Sequence, residues 1–148
     1  LKGWKIMSSL SAFLKGNKKE KANKKYAVTG SICDEKGETV EWEFRHITTK
    51  EDGTIRDLCT EEVQIKGKPN AFRPRLNVNK YLTKMICRSA VFPDLNNSEL
   101  QDSYGVKTPE DLLYELVDDP GEYQNLCEWI QCFQGFEPLQ KKVNDAKN

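Results

Sequence analysis

Thr108-Pro109-Glu110-Asp111-Leu112-Leu113 and, about eleven residues on, Asp119-Pro120-Gly121-Glu122-Tyr123 are two helix starts built on the same plan. Each opens with a side-chain oxygen that can take a free backbone N–H. A proline follows at the first helical position, where a missing N–H costs nothing. Acids in the first turn then face the positive end of the helix dipole. Behind the first start come Leu112, Leu113, Leu116 and Val117; behind the second come Tyr123, Leu126, Cys127, Ile130 and Phe133. Both sets fall at helical spacing, and Gly135 closes the second.

Working outward, Asn77 caps a third helix that carries Val78, Tyr81, Leu82, Met85, Ile86 and Ala90 on one stripe, with Pro93 expected to end it. Asp94 to Val106 is expected to be a long irregular link. Its apolar residues Leu95, Leu100 and Tyr104, with Phe92 just before it, sit among acids. They have two open placements: tucked under the link to close the core, or lining a groove for a partner helix.

The N-terminal half changes period. Tyr26 to Cys33 alternates, Asp34-Glu35-Lys36-Gly37 turns, and Val40, Trp42, Phe44 and His46 alternate with Glu41, Glu43 and Arg45. That is a hairpin with one dry face and one wet face. Thr48 to Asp52 starts a helix with Ile55, Leu58 and Cys59, weakened by Gly53. Val63 and Ile65, a turn at Gly67 to Asn70, and Phe72 to Leu76 make a second hairpin, whose Pro74 requires an edge. The fold class is therefore α+β: a small antiparallel sheet of two hairpins packed with a C-terminal set of three helices.

At 148 residues the chain suits one domain with a sizeable core. Met7-Ser8 makes a natural start, so residues 1–6 are expected to be an upstream translation extension. Residues 7–25 read as a short helix (Leu10, Phe13 and Leu14 on one side) and a Lys-rich linker. Residues 26–148 form the α+β domain with a short polar tail. The net charge is zero, which disfavours a dedicated nucleic-acid binder. The balance hides an asymmetry: eight lysines and one acid lie between Lys2 and Lys25, nine acids and one lysine between Asp94 and Gln124. No apolar run approaches the ~18 residues of a membrane span.

No catalytic, cofactor or metal constellation stands out. The sequence lacks a phosphate-binding glycine loop and a nucleophile elbow. His46 is the lone histidine and falls on the apolar strand face, as a structural residue would. Arg73 and Arg75 share a strand face and read as a solvated edge before an anion site. The five cysteines (Cys33, Cys59, Cys87, Cys127 and Cys132) contain no C-x-x-C pair and read as reduced, mostly core thiols of a cytosolic protein.

One set of residues is more specific. Ala90-Val91-Phe92-Pro93-Asp94-Leu95, Glu99-Leu100-Gln101-Asp102-Ser103-Tyr104-Gly105-Val106, Thr108 to Leu113, Pro120-Gly121-Glu122-Tyr123 and Asn125 to Phe136 resemble the XkdN-like tail assembly chaperones of contractile-tailed phages and prophages of Gram-positive bacteria. Glu41-Trp42-Glu43, Thr48-Thr49-Lys50, Ile55-Arg56-Asp57 and Lys66 to Asn70 extend the likeness over most of the chain after Met7. The resemblance implies a non-enzymatic chaperone without cofactor or metal, acting in the bacterial host cytoplasm and absent from the mature virion. The implied partner is the tape measure protein, held soluble before the tail tube polymerises. The tail tube protein and a frameshifted longer form of the chain are further expected partners, with Gln140-Lys141-Lys142 as the candidate slippery position. The candidate partner-binding residues are Phe92, Leu95, Leu100 and Tyr104. Rival readings are a structural subunit of the tail and a nucleic-acid-associated regulator using the Lys-rich segment.

Overall fold

The computed structural model describes residues 9–138. The expectations for residues 1–6 and for Gln140 to Lys142 lie outside them. In order come α1 (Ser9–Ala12), a 3-10 turn (Lys15–Asn17), β1 (Lys24–Tyr26), β2 (Trp42–Phe44), α2 (Thr49–Cys59), β3 (Thr60–Gln64) and β4 (Phe72–Leu76). They are followed by α3 (Val78–Ser89), β5 (Ala90–Phe92), α4 (Ser98–Ser103), α5 (Pro109–Leu116) and α6 (Pro120–Phe133). The α+β class is the one that forms.

Helix starts follow the capping chemistry. Thr48 Oγ1 accepts from Glu51 N–H while the Glu51 carboxylate accepts from Thr48 N–H, a reciprocal capping box. Asn77 accepts from Lys80 N–H, Thr108 from Asp111 N–H, and Asp119 from the N–H groups of Gly121 and Glu122. Each such cap contributes about 1 kcal/mol. Gly135, at φ 93, ends α6 in a backbone region that suits glycine.

The two hairpins do not share a sheet. β3 and β4 pair only with each other, from Thr60 opposite Leu76 to Gln64 opposite Phe72. Both outer edges are open, so Pro74 interrupts no ladder. The other sheet has the order β1-β2-β5, all antiparallel. Its third strand was not expected: α3 stops at Ser89 and the chain is already extended at Ala90, before Pro93. The Arg45 N–H bond to the Ser89 carbonyl (2.9 Å) and the pairing of Phe44 with Ala90 draw it onto β2.

The first hairpin is also shorter than its alternation. β1 covers Lys24–Tyr26 rather than Tyr26 to Cys33, and the arms meet again only at a bridge between Cys33 and Thr39. Between Tyr26–Trp42 and that bridge the first arm carries surplus residues. They bulge towards α6, where Glu122 accepts from Thr29 Oγ1 (2.7 Å) and Gly30 N–H (2.9 Å). A carboxylate thus replaces the ladder there. The link from Asp94 to Val106 is not wholly irregular either, because Asn97 caps α4 within it.

The core gathers Trp42 and Phe44 from β2, Ile55 and Cys59 from α2, Met85 and Ile86 from α3, and Leu112, Leu113, Leu126 and Ile130 from α5 and α6. Leu58 and Val78, read as stripe members, are exposed instead. An aromatic column pins the sheet to α6. Tyr26 stacks on Trp129 (4.5 Å), Trp129 on Phe133 (5.0 Å) and Phe133 on His46 (4.1 Å), with Phe44 tilted against Trp129. Beside it, the Gln134 amide accepts from Ile47 N–H and donates to the Arg45 carbonyl and to Ser89 Oγ.

Candidate functional site

Two of the four residues singled out at the acidic link, Phe92 and Leu100, line one open groove of about 490 Å³. Its walls are Phe92, Pro93, Asp94, Asn97, Glu99, Leu100 and Ser103. The turn beneath it is tied by local bonds. Asp94 Oδ1 accepts from Asn96 N–H, Asn97 Oδ1 accepts from Leu100 N–H at the start of α4, and Gln101 Nε2 donates to the Leu95 carbonyl (2.7 Å). Leu95 itself is 1% exposed and anchors the link in the core.

The two placements open for these residues are thus divided among them. Leu95 takes the core position. Phe92, 54% exposed, takes the surface position. Leu100 does both, packing on the core from one side and lining the groove from the other. Tyr104 is 42% exposed at the end of α4, outside the groove lining. Sequence reasoning placed these residues among acids but missed Asn97 and Ser103, which complete the polar rim with Asp94 and Glu99. The sequence Asn97-Ser98-Glu99, a capping residue with an acid in the first turn, carried the signal for α4.

A second concave surface has the opposite charge. It lies between residues 15–23 and residues 45–50 and is lined by Lys15, Lys18, Lys19, Lys21, Arg45 and Lys50. The segment leading to it exposes Leu10, Phe13 and Leu14, at 73%, 84% and 57%.

The perturbed titratable groups serve structure. Arg45 meets both carboxylate oxygens of Glu51 at 3.0 and 2.6 Å, which holds that carboxyl down at about 2. Tyr81 OH donates to Asp52, whose other oxygen accepts from Arg56 Nε. Thr83 Oγ1 hydrogen-bonds to the hydroxyls of Tyr114 and Tyr123. Burial pushes the Cys87 thiol up to about 12 and Cys127 up to about 11, so both are protonated and poor nucleophiles at neutral pH. Burial, with nearby Lys21, pulls His46 below its ordinary value. All five cysteines are free; Cys33 and Cys132 are exposed. Among the described residues, no three His, Cys, Asp or Glu side chains converge as metal ligands, and no helix is long and apolar enough to cross a membrane.

The model of the family described as "Phage XkdN-like tail assembly chaperone protein" matches residues 10–147. The chain is 24% identical to the phage-like element PBSX protein XkdN of Bacillus subtilis over 140 residues, 94% of this chain and 93% of that protein. It is 23% identical to the uncharacterized protein YqbN of the same organism, again over 94% and 93%. The crystal structure of YqbN superposes with a TM-score of 0.73 at 19% identity, covering 88% of this chain and 98% of that one, so the fold is shared.

Proposed function

Because the chain belongs to the XkdN-like phage tail assembly chaperone family, we propose that it binds the tape measure protein of its phage and keeps it soluble until the tail tube polymerises around it. The observation that carries this reading is the groove of Phe92 and Leu100, held open on a capped helix and rimmed by Asp94 and Glu99. A long amphipathic helical partner needs apolar cover in a frame that itself stays in water. An apolar groove with a charged rim supplies both. The chaperone acts in the host cytoplasm, by contact alone, and leaves before the virion is complete.

The test is co-expression with the tape measure protein encoded nearby, read by pull-down and by the soluble fraction. The expected result is a soluble, co-purifying partner, with capture reduced about tenfold by Phe92→Ser. Phe92 is exposed, so this variant keeps the fold. A partner that remains insoluble and unbound, with or without a frameshifted longer form of the chain, overturns the reading. Presence of the chain in purified virions would then favour a structural tail subunit.

A further inference from the structure

The hairpin of β3 and β4 stands clear of the core. No residue from Thr60 to Leu76 is buried, and the two strands pair only with each other. The arm is nonetheless well tied. At its base Asn77 N–H donates to the Cys59 carbonyl (2.8 Å). At its tip Gly67 turns at φ 80, Lys68 N–H donates to the Ile65 carbonyl (3.0 Å) and Gln64 Nε2 to the Pro69 carbonyl (3.0 Å). A two-stranded hairpin that covers so little apolar surface adds little to folding. It carries four cations, Lys66, Lys68, Arg73 and Arg75, against two acids, Glu61 and Glu62. All four cations are exposed, and none has a carboxylate within ion-pair distance among the described residues. Arg45, Arg56 and Arg88, by contrast, each meet one. The register sets Arg73 opposite Val63 and Arg75 opposite Glu61, so both arginines share one face; Glu62 lies on the other, opposite Pro74.

We infer that this arm grips a carboxylate-bearing helix of the protein that the chaperone holds, with Arg73 and Arg75 on two carboxylates one helical turn apart. Residues two apart on a strand face lie roughly 7 Å from each other, and residues three or four apart on a helix about 5–6 Å. The two arginines therefore match one turn of a helix, and each guanidinium can hold its carboxylate through two parallel bonds. Val63, half-buried on the same face, gives that helix an apolar seat, and Lys66 and Lys68 extend the basic track to the tip. Glu61 and Glu62 set the arm against a nucleic-acid backbone, whose closely spaced phosphates would meet both. The inference rests on reading the chain as the chaperone of a long helical partner. It adds a charged contact that does not involve the apolar groove.

The probe is a synthetic alanine-rich helical peptide with glutamates one turn apart along one face, titrated in low salt against the full chain and read by fluorescence anisotropy. Arg73→Gln combined with Arg75→Gln is expected to weaken binding about tenfold. Arg73→Lys combined with Arg75→Lys should weaken it about threefold, because lysine keeps the charge and loses the fork. Binding should fade as salt rises. Lys24→Gln combined with Lys25→Gln, on β1, is expected to bind as the wild type does. A peptide with the same glutamates scattered over all faces should bind more weakly. Both arginines are exposed, so urea midpoints should match the wild type. Absence of binding by the wild type, or binding that survives loss of both arginines, overturns the inference. Tighter binding of duplex DNA that is lost with the same arginines overturns it too and makes the arm a nucleic-acid surface. The pull-down separates this result from the function proposed above. Tape measure protein captured equally by the wild type and the glutamine variant leaves that function standing and overturns the arm. A wild type that captures none overturns the function, and the peptide titration then decides the arm alone.

Discussion

The aromatic column on α6 and the groove beside α4 use similar residues for opposite ends. In the column, Tyr26, Phe44, Trp129 and Phe133 stack against one another between sheet and helix. In the groove, Phe92 and Leu100 have a wall each but no lid among the described residues. The difference comes from what each stretch is fastened to. β1 and β2 are drawn onto α6 by the column and by the Glu122 bonds to Thr29 and Gly30. α4 is held from beneath, by Leu95 and its cap, so its outer side stays open. Apolar surface closed by the chain contributes to folding; apolar surface left open is available for association.

Substitutions can break that contrast in a graded way. Trp129→Ala removes the centre of the column and is expected to cost about 3 kcal/mol, read as a lower midpoint in urea. The Arg45–Glu51 pair, next to the end of β2, has an intermediate effect. The folded Glu51 carboxyl titrates at about 2 against an ordinary 4.5, so its contribution is fully present above that ordinary value. It is lost as pH falls from there towards 2, by about 2 kcal/mol for this partly exposed pair. Glu51→Gln should flatten stability across that window; an unchanged acid profile would remove the pair from the account. Phe92→Ser should change stability by less than about 0.5 kcal/mol while weakening partner capture. A large loss of stability there would mean that the groove is closed in the free protein and that the contrast fails.

The sequence made most of the helices readable because each cap is a local event: Thr48, Asn77, Thr108 and Asp119 need only the next three residues to act. β5 was hidden because three residues carry no period; it forms when Arg45 and Phe44 arrive from far along the chain. The shortened first hairpin was hidden for a related reason, since Glu122 competes for Thr29 and Gly30 from about ninety residues away. At the groove, spacing brought Phe92, Leu95, Leu100 and Tyr104 into view but did not tell which would be covered. That depends on α4, whose cap at Asn97 sets the face that Leu100 presents.

Gln134 has a consequence for the timing of folding. Its amide joins the exit of β2, the approach to α2 and the end of α3, yet it caps the C-terminal end of α6, the last helix among the described residues. During synthesis the three segments it joins emerge first and wait for it. The caps let the helices form early, while the junction between sheet and helices closes only when the end of α6 has left the ribosome. Sheet and groove therefore acquire their final relation only once α6 is in place, and a fragment ending before α6 would lack the side chain that joins them.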